Sequence, residues 1–161
     1  MSAGVGSRSV GFILALLFAG VMGASSAAIL LTDYMHPGVV MNEQARRTLT
    51  ICGIAGFLAA MLAWWLQSFA AERGTVIRFL YALLAYALCF FAIGGLLEIA
   101  SNFILSPENQ DFSLGGLYSA SVGSFYNFAL SFLIDFKPAF AGLLLAAALI
   151  IAIVGPRSAA Q

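Results

Sequence analysis

The sequence predicts an all-α integral membrane protein, and its composition and the length of its apolar runs carry that prediction. Of its 161 residues, 62% are hydrophobic and only 9% are charged, and the mean hydropathy is +1.00. A soluble domain carries about 25% charged residues. Four apolar runs, separated by polar connections, are long enough for helices that cross a hydrocarbon core. We therefore expect one membrane domain over residues 1–161, a four-transmembrane-helix bundle with an amphipathic or interfacial helix between spans 3 and 4.

The first predicted span covers approximately residues 10–31, which read VGFILALLFAGVMGASSAAILL. A cleaved signal peptide is the alternative, because Arg8 precedes the run and GASSAA offers small residues for cleavage. The apolar run continues through residues 29–31, beyond the small residues. This continuation favours a span that is retained.

The second predicted span covers approximately residues 46–71 and follows a helix-start signal. Asn42 is suited to the N-cap, and Glu43 in the first turn is favoured by the helix dipole. Trp64 and Trp65 lie toward the far end of the run, as indoles often do at a membrane interface.

The third predicted span, approximately residues 76–104, follows a connection of only a few residues, ERGT. Such a short connection predicts an antiparallel helical hairpin, with Gly74 as the C-cap of the second helix. The fourth predicted span covers approximately residues 139–155 and is bracketed by Pro138 and Pro156.

The outer segment, approximately residues 117–136, has an amphipathic pattern rather than an apolar surface all round. It admits three interpretations: a helix at or embedded in the outer membrane interface, a fifth span, or a re-entrant segment that bends at residues 115–116. We favour the first. The polar residues recur at steps of three or four and are Ser121, Ser124, Asn127, Ser131 and Asp135.

The orientation is predicted as N-in and C-in, in a bacterial inner (cytoplasmic) membrane. The cations split four to three between the two sides with four or with five spans, so the positive-inside rule does not decide between these alternatives. Six of the seven cations are Arg, and the chain is rich in Ala, Gly and Leu, as is typical of GC-rich bacterial sources.

Few residues carry recognisable chemistry. His36 is the only histidine, and one histidine with scattered carboxylates matches neither a metal site nor a bis-histidine haem, so we predict no cofactor and no metal. Cys52 and Cys89 are expected at different depths, too far apart for a disulfide. Glu98 is expected near the outer interface, where an ion pair with Arg46, Arg47 or Lys137 can form. His36 and Glu98 are the candidate functional polar residues.

Small residues recur at the four-residue spacing that lets helices approach closely in lipid, and we expect them to pack within the chain. The pairs are Gly20 with Ala24, Gly56 with Ala60, and Gly142 with Ala146.

Aromatic residues concentrate in the outer segment, where they would form an interfacial belt. Two sharper hypotheses are a docking face for another membrane protein and a pocket for a quinone or pigment. The pocket would be lined by Tyr118, Phe125, Tyr126 and Phe128.

No GxxxxGK[ST], HExxH or GxSxG motif occurs in the sequence, and we assign no catalytic residue. The leading hypothesis is a small accessory or scaffolding subunit of a larger membrane complex, whose partners are the lipid bilayer and other membrane subunits. The net charge is zero, so we predict that nucleic acid is not a partner. The alternative is a small-molecule membrane protein, either a carrier or a quinone- or pigment-binding enzyme subunit.

Overall fold

A computed structural model describes residues 3–34, 41–105, 112–133 and 138–156, and within these ranges the chain is helical and contains no strand. The prediction of an all-α protein is confirmed. The helices are α1 (Ala3–Tyr34), α2 (Glu43–Leu66, extended by a 3-10 turn at Gln67–Ala70), α3 (Thr75–Leu105), α4 (Leu114–Leu133) and α5 (Pro138–Val154).

Three of these helices contain segments long and apolar enough to cross a membrane, as expected of a membrane protein. The segments are Val10–Thr32, Glu43–Ala70 and Thr75–Ile104, with 23, 28 and 30 residues. The predicted fourth span forms helix α5, but its 17 residues extend only about 25 Å at 1.5 Å per residue. This is shorter than a hydrocarbon core of about 30 Å. The four-span bundle is therefore not confirmed, since three of the described helices qualify as candidate spans and α5 does not.

The structure confirms the predicted beginning of α2 but not its predicted end. Asn42 is the N-cap, and its side-chain oxygen accepts a hydrogen bond of 2.8 Å from the backbone N–H of Ala45. The prediction that Gly74 is the C-cap is wrong. The helix tightens instead into the 3-10 turn, which satisfies some of its last carbonyls. Gly74 precedes α3, where its carbonyl accepts the backbone N–H of Arg78 at 3.0 Å.

Helices α1, α2, α3 and α5 alternate in direction. The beginning of α1, the end of α2 and the end of α5 line one groove through Gly11, Trp65 and Gly155. Arg78, near the beginning of α3, hydrogen-bonds to the end of α5. We call this side of the bundle the Arg78 end, and the opposite side, where α2 begins, the Arg47 end.

Glycines set the close contact between α1 and α2. A Cβ added to Gly23 would lie 2.7 Å from the backbone oxygen of Gly53, and one added to Gly56 would lie 2.5 Å from Ser26 Oγ. Neither position has room for a side chain. Lipid tails are as apolar as helix surfaces, so two helices in a membrane gain no hydrophobic free energy when they associate. The van der Waals contact made by closely approaching backbones is then a main source of helix–helix attraction.

Small residues also cover the face of α2 that the neighbouring helices bury. These residues recur at steps of one, three or four, so that they form a single face of the helix. They are Cys52, Ala55, Gly56, Ala59, Ala60 and Ala63.

Helices α4 and α5 lie along α3 and meet near its middle. Phe128 from α4 and Phe140 from α5 both pack on Phe90, with ring centroids 5.6 and 4.8 Å away. Phe128 also lies over Gly94, and Phe125 lies over Gly95, at distances that leave no space for a Cβ on either glycine. The C-terminal half of α4 is therefore docked against α3 toward the Arg47 end, and α5 covers α3 toward the Arg78 end.

We expect Gly23→Ala to destabilise the protein, because the added methyl group cannot be accommodated without moving the backbones of α1 and α2 apart. Overpacking of this kind costs about 1–3 kcal/mol. Gly20→Ala is the matched control, since it lies on the same helix and its Cβ would have no atom within 4 Å. Thermal unfolding in detergent should place the midpoint for Gly23→Ala several degrees below that for Gly20→Ala. Equal midpoints would contradict the close contact.

Candidate functional site

A polar network joins three helices at the Arg47 end. The Nη2 atom of Arg47 on α2 donates to the carbonyl and Oε1 of Glu98 at 3.3 and 3.4 Å and to Oδ1 of Asn102 at 2.5 Å. Asn102 in turn donates to Oγ of Ser124 on α4 at 2.7 Å. The side chains of Arg47 and Glu98 are 19% and 20% exposed, so the pair is largely shielded. Of the three cations expected near Glu98, the structure pairs it with Arg47.

A second polar cluster lies at the Arg78 end and joins α2, α3 and α5. The Nη2 atom of Arg78 donates to the carbonyls of Gly155 and Pro156 at 3.2 and 3.3 Å. Gln67 Nε2 donates to the carbonyl of Arg78 at 3.3 Å. Arg78 is 5% exposed and Gln67 is fully buried. A guanidinium at the C-terminal end of α5 satisfies its last carbonyls and complements the helix dipole.

The two polar clusters are the same distance apart on both central helices. Residues 47 and 67 on α2 are separated by 20 positions, as are residues 78 and 98 on α3. At 1.5 Å per residue this is about 30 Å, the thickness of a hydrocarbon core. The residues between these positions carry no charge on either helix. Charges on α2 and α3 are thus confined to two levels.

Between these levels the described residues offer little chemistry. No group of three or more His, Cys, Asp or Glu side chains that could hold a metal ion occurs in the described ranges. Cys52 and Cys89 are both free, as expected from their different depths. Ser26 is buried, but its hydroxyl donates to the carbonyl of Met22 one turn earlier, at 2.8 Å. These side chains form no catalytic arrangement.

An apolar groove of about 550 Å³ runs along the surface between α1 and α2, and we call it the α1–α2 groove. Gly20 and Ala24 line it from α1, and Ile54 and Leu58 line it from α2. Gly20 and Ala24 are exposed, and a Cβ on Gly20 would have no atom within 4 Å.

The three small-residue pairs therefore differ in their surroundings. Gly56 and Ala60 are buried in the bundle, but Gly20 and Ala24, like Gly142 and Ala146, are exposed. Packing of the first and third pairs within the chain stays a prediction, because no described helix covers these exposed residues. Sequence spacing alone does not reveal which helix face has a neighbour.

A larger groove of about 990 Å³ lies at the Arg78 end between α1, α2 and α5. We call it the Trp groove because both tryptophans of the chain line it. Trp64 is 9% exposed, whereas Trp65 is 63% exposed. At the Arg78 end, Ser68, Gly155 and Pro156 are among the residues that line it.

The aromatic candidates on α4 have different environments. Phe128 is buried in the ring cluster with Phe90, whereas Tyr118 and Tyr126 are exposed, at 72% and 58%. Phe125 is partly exposed beside Gly95. One ring therefore faces the core and two face outward. A quinone or pigment pocket at these residues stays a prediction.

His36, a candidate functional polar residue, lies outside the residues that the structure describes, as do Asp135 and Lys137. Of the polar residues of the outer segment, Ser124 faces α3 through its bond to Asn102.

The sequence interpretation missed several residues that the structure brings together, namely Gly23, Gly53, Gly94, Gly95, Gln67 and Asn102. Gly94 and Gly95 are the residues among these that the sequence indicates most clearly. Two adjacent glycines lower the stability of a helix, so their presence in an apolar helix indicates that another group packs closely against it.

Comparison with protein-family models, with curated proteins and with solved structures gives no match. Over the described residues the protein is all-helical, and three of its helices are long and apolar enough to cross a membrane.

We expect Glu98→Gln to destabilise the protein, because Arg47 would keep its charge in a largely shielded position without a carboxylate. The cost should be about 1–2 kcal/mol for a pair that retains some exposure. Glu43→Gln is the control, since Glu43 is exposed on the first turn of α2. Its effect should not exceed about 0.5 kcal/mol. Chemical unfolding in detergent measures both, and equal effects would show that the Arg47–Glu98 pair does not contribute.

We expect Arg78→Met to loosen the C-terminal turn of α5, because the carbonyls of Gly155 and Pro156 would lose their donor. Hydrogen–deuterium exchange should become faster in the peptide that contains Gly155, whose N–H bonds to the carbonyl of Ile151 at 2.8 Å. Arg73→Met is the control, since Arg73 is exposed on the connecting turn. Unchanged exchange of this turn in Arg78→Met would rule out the capping role.

Proposed function

We propose that the protein is a membrane-embedded accessory or scaffolding subunit that packs against a transmembrane helix of a larger complex. The observation that carries this proposal is the exposed pair of small residues Gly20 and Ala24 on α1, which borders the α1–α2 groove. A neighbouring helix can approach such a face closely, and dispersion contacts then replace those made with lipid.

The α1–α2 groove has the chemistry of a helix contact rather than of a catalytic cleft. Among the described residues that line it, Thr50 is the only one with a hydroxyl group, and none is ionisable. The α2 side of the groove has ridges formed by Leu49, Ile54 and Leu58. The α1 side has a depression at the small residues Gly20 and Ala24. Ridges of one helix fit into such depressions on another.

We further propose that the two polar levels lie at the two membrane boundaries. Charged side chains are costly inside hydrocarbon and are accepted when paired or near the interface. In this arrangement α5 is the fourth span, and its first residues lie within the hydrocarbon core, near Phe90. The C-terminal half of α4 then completes the crossing on the outer side, so α4 is an outer helix that is partly embedded. Its exposed Tyr118 and Tyr126 face the interface or a partner.

The proposed orientation is N-in and C-in, in a bacterial inner membrane. The alternating helix directions support placing the beginning of α1 and the end of α5 on one side. The Arg-rich cation composition supports the bacterial source. A reporter fused after Gln161 should be active in its cytoplasmic form, and an extracytoplasmic signal would overturn the orientation.

The proposal is tested by the loss of partner proteins from Gly20→Leu. The tagged protein is extracted in a mild detergent and separated on a native gel, and its band is analysed by mass spectrometry. We expect the native chain to migrate with larger membrane proteins in fixed ratio, and we expect Gly20→Leu to lose them because its side chain fills the contact face.

Gly11→Leu is the matched control for this experiment. Gly11 lies nine residues earlier on the same helix, which places it on the opposite face. A Cβ on Gly11 also has no atom within 4 Å, so both variants should fold. Gly11→Leu should keep the partners. A native band that contains only this chain would contradict the accessory role.

A further inference from the structure

Helix α4 turns its most exposed apolar side chains away from the bundle. Among the described helices, it has extensive contacts with α3 alone. The side toward α3 carries Ser124 and Phe128, which are both buried. The opposite side carries exposed residues at steps of four, so they share one face of the helix. We call it the tyrosine face, and it comprises Leu114, Tyr118, Val122 and Tyr126.

The contacts with α3 fix the level of this face along the bundle. Ser124 bonds to Asn102, four residues beyond the polar level at the Arg47 end. Phe128 lies over Gly94, four residues before that level. At 1.5 Å per residue, the two contacts are each about 6 Å from the polar level, on opposite sides of it. Tyr126, midway between them on α4, therefore lies at the polar level itself.

The beginning of α4 does not project straight out of the bundle. Phe112, two residues before the helix, packs on Phe103 near the end of α3, with ring centroids 6.2 Å apart. From Leu114 to Phe128, α4 covers about 21 Å at 1.5 Å per residue. The contacts of its two ends on α3, at Phe103 and Gly94, are only about 14 Å apart. The helix is therefore inclined to α3.

This position corresponds to the headgroup layer of a membrane. The two polar levels are about one hydrocarbon thickness apart, and a headgroup layer extends about 5–7 Å beyond the hydrocarbon on each side. The level of Asn102, about 6 Å beyond the Arg47–Glu98 pair, falls within this layer. The first half of α4 therefore lies among headgroups, and its second half lies where the headgroups meet the acyl chains.

The composition of the tyrosine face favours phospholipid over a partner helix. Helices in lipid make contact through small residues, as α1 and α2 do at Gly23 and Gly53. The tyrosine face instead consists of bulky side chains. Tyrosine is enriched at membrane interfaces, because its ring suits the acyl chains and its hydroxyl group suits the headgroups. Residues 114–133 also carry no charge that could pair with a water-soluble domain.

We propose that phospholipid of the leaflet at the Arg47 end covers the tyrosine face. The helix enters this leaflet obliquely, with Tyr118 among the headgroups and Tyr126 at the boundary with the acyl chains. This inference rests on the proposed placement of the two polar levels at the membrane boundaries. It does not depend on the accessory role, which concerns the α1–α2 groove.

Photo-crosslinking in the native membrane identifies what covers the face. The amino acid p-benzoylphenylalanine takes the place of Tyr118 or of Tyr126 in the full chain, and both positions are exposed, so the fold should be kept. After illumination, mass spectrometry should find the chain with one added phospholipid at either position. A crosslinked protein at either position, or the absence of a phospholipid adduct at both, would overturn the proposal.

The same crosslinker in place of Val21 separates this proposal from the accessory role. Val21 is 63% exposed and follows Gly20 at the α1–α2 groove. We expect a crosslinked membrane protein at this position. Its absence would count against the accessory role and would leave the result for the tyrosine face unchanged.

Nitroxide labels test the inclination of α4. Single cysteines replace Tyr118 or Tyr126 in a Cys52→Ala, Cys89→Ala background, and the labelled protein is placed in vesicles of phosphatidylcholine and phosphatidylglycerol. Depth is measured from the accessibility of each label to oxygen and to a water-soluble nickel complex. The label at 126 should lie deeper than the label at 118, by less than the about 12 Å that separates them along the helix. Equal depths, or two labels in bulk water, would overturn the oblique insertion.

Leu88→Cys in the same background is the control for the membrane levels. Leu88 is 61% exposed and lies midway between residues 78 and 98 on α3. Its label should report the centre of the hydrocarbon. A shallow label at this position would show that the proposed levels are wrong, whereas a deep one with both α4 labels in water would refute the tyrosine face alone.

Discussion

The close approach of α1 and α2 at glycine is the contact on which the rest of the bundle depends. In lipid, helices gain no hydrophobic free energy by associating, so their attraction comes from packing and polar contacts. Gly23 against Gly53 and Gly56 against Ser26 bring the two backbones together. The alanine-rich face of α2 then also leaves room for α3. The same principle holds on α3, where Gly94 and Gly95 receive the rings of α4.

The two polar clusters fix the register of the helices along the bundle axis, because a shift of either helix would separate a charge from its partner. At the Arg47 end the guanidinium is shared between Glu98 and Asn102, and Asn102 extends the contact to α4 through Ser124. At the Arg78 end a guanidinium caps α5. Between the clusters the described interior is mostly apolar, and the rings around Phe90 determine where α4 and α5 meet.

The proposed function is based on the surfaces of the bundle that no described helix covers. Helix α1 contacts chiefly α2, so one long side of it faces outward, and there the small residues Gly20 and Ala24 lie among exposed bulky residues such as Leu17 and Val21. The Trp groove is different in kind, because its polarity changes along its length. A transmembrane helix of a partner is the occupant whose shape and chemistry fit the first surface.

The sequence by itself determined the helical class, the first three candidate spans and the cap at Asn42, because these follow from hydrophobicity, run length and local hydrogen bonding. It also placed Glu98 near cationic side chains. Only the tertiary structure decided that Arg47 is the partner, that Gly23 and Gly53 touch while Gly20 is exposed, and that Phe128 is buried while Tyr118 is not. These outcomes depend on which helix faces turn toward each other. In a chain rich in alanine, glycine and leucine all round, periodicity does not distinguish a face covered by a helix from a face covered by lipid.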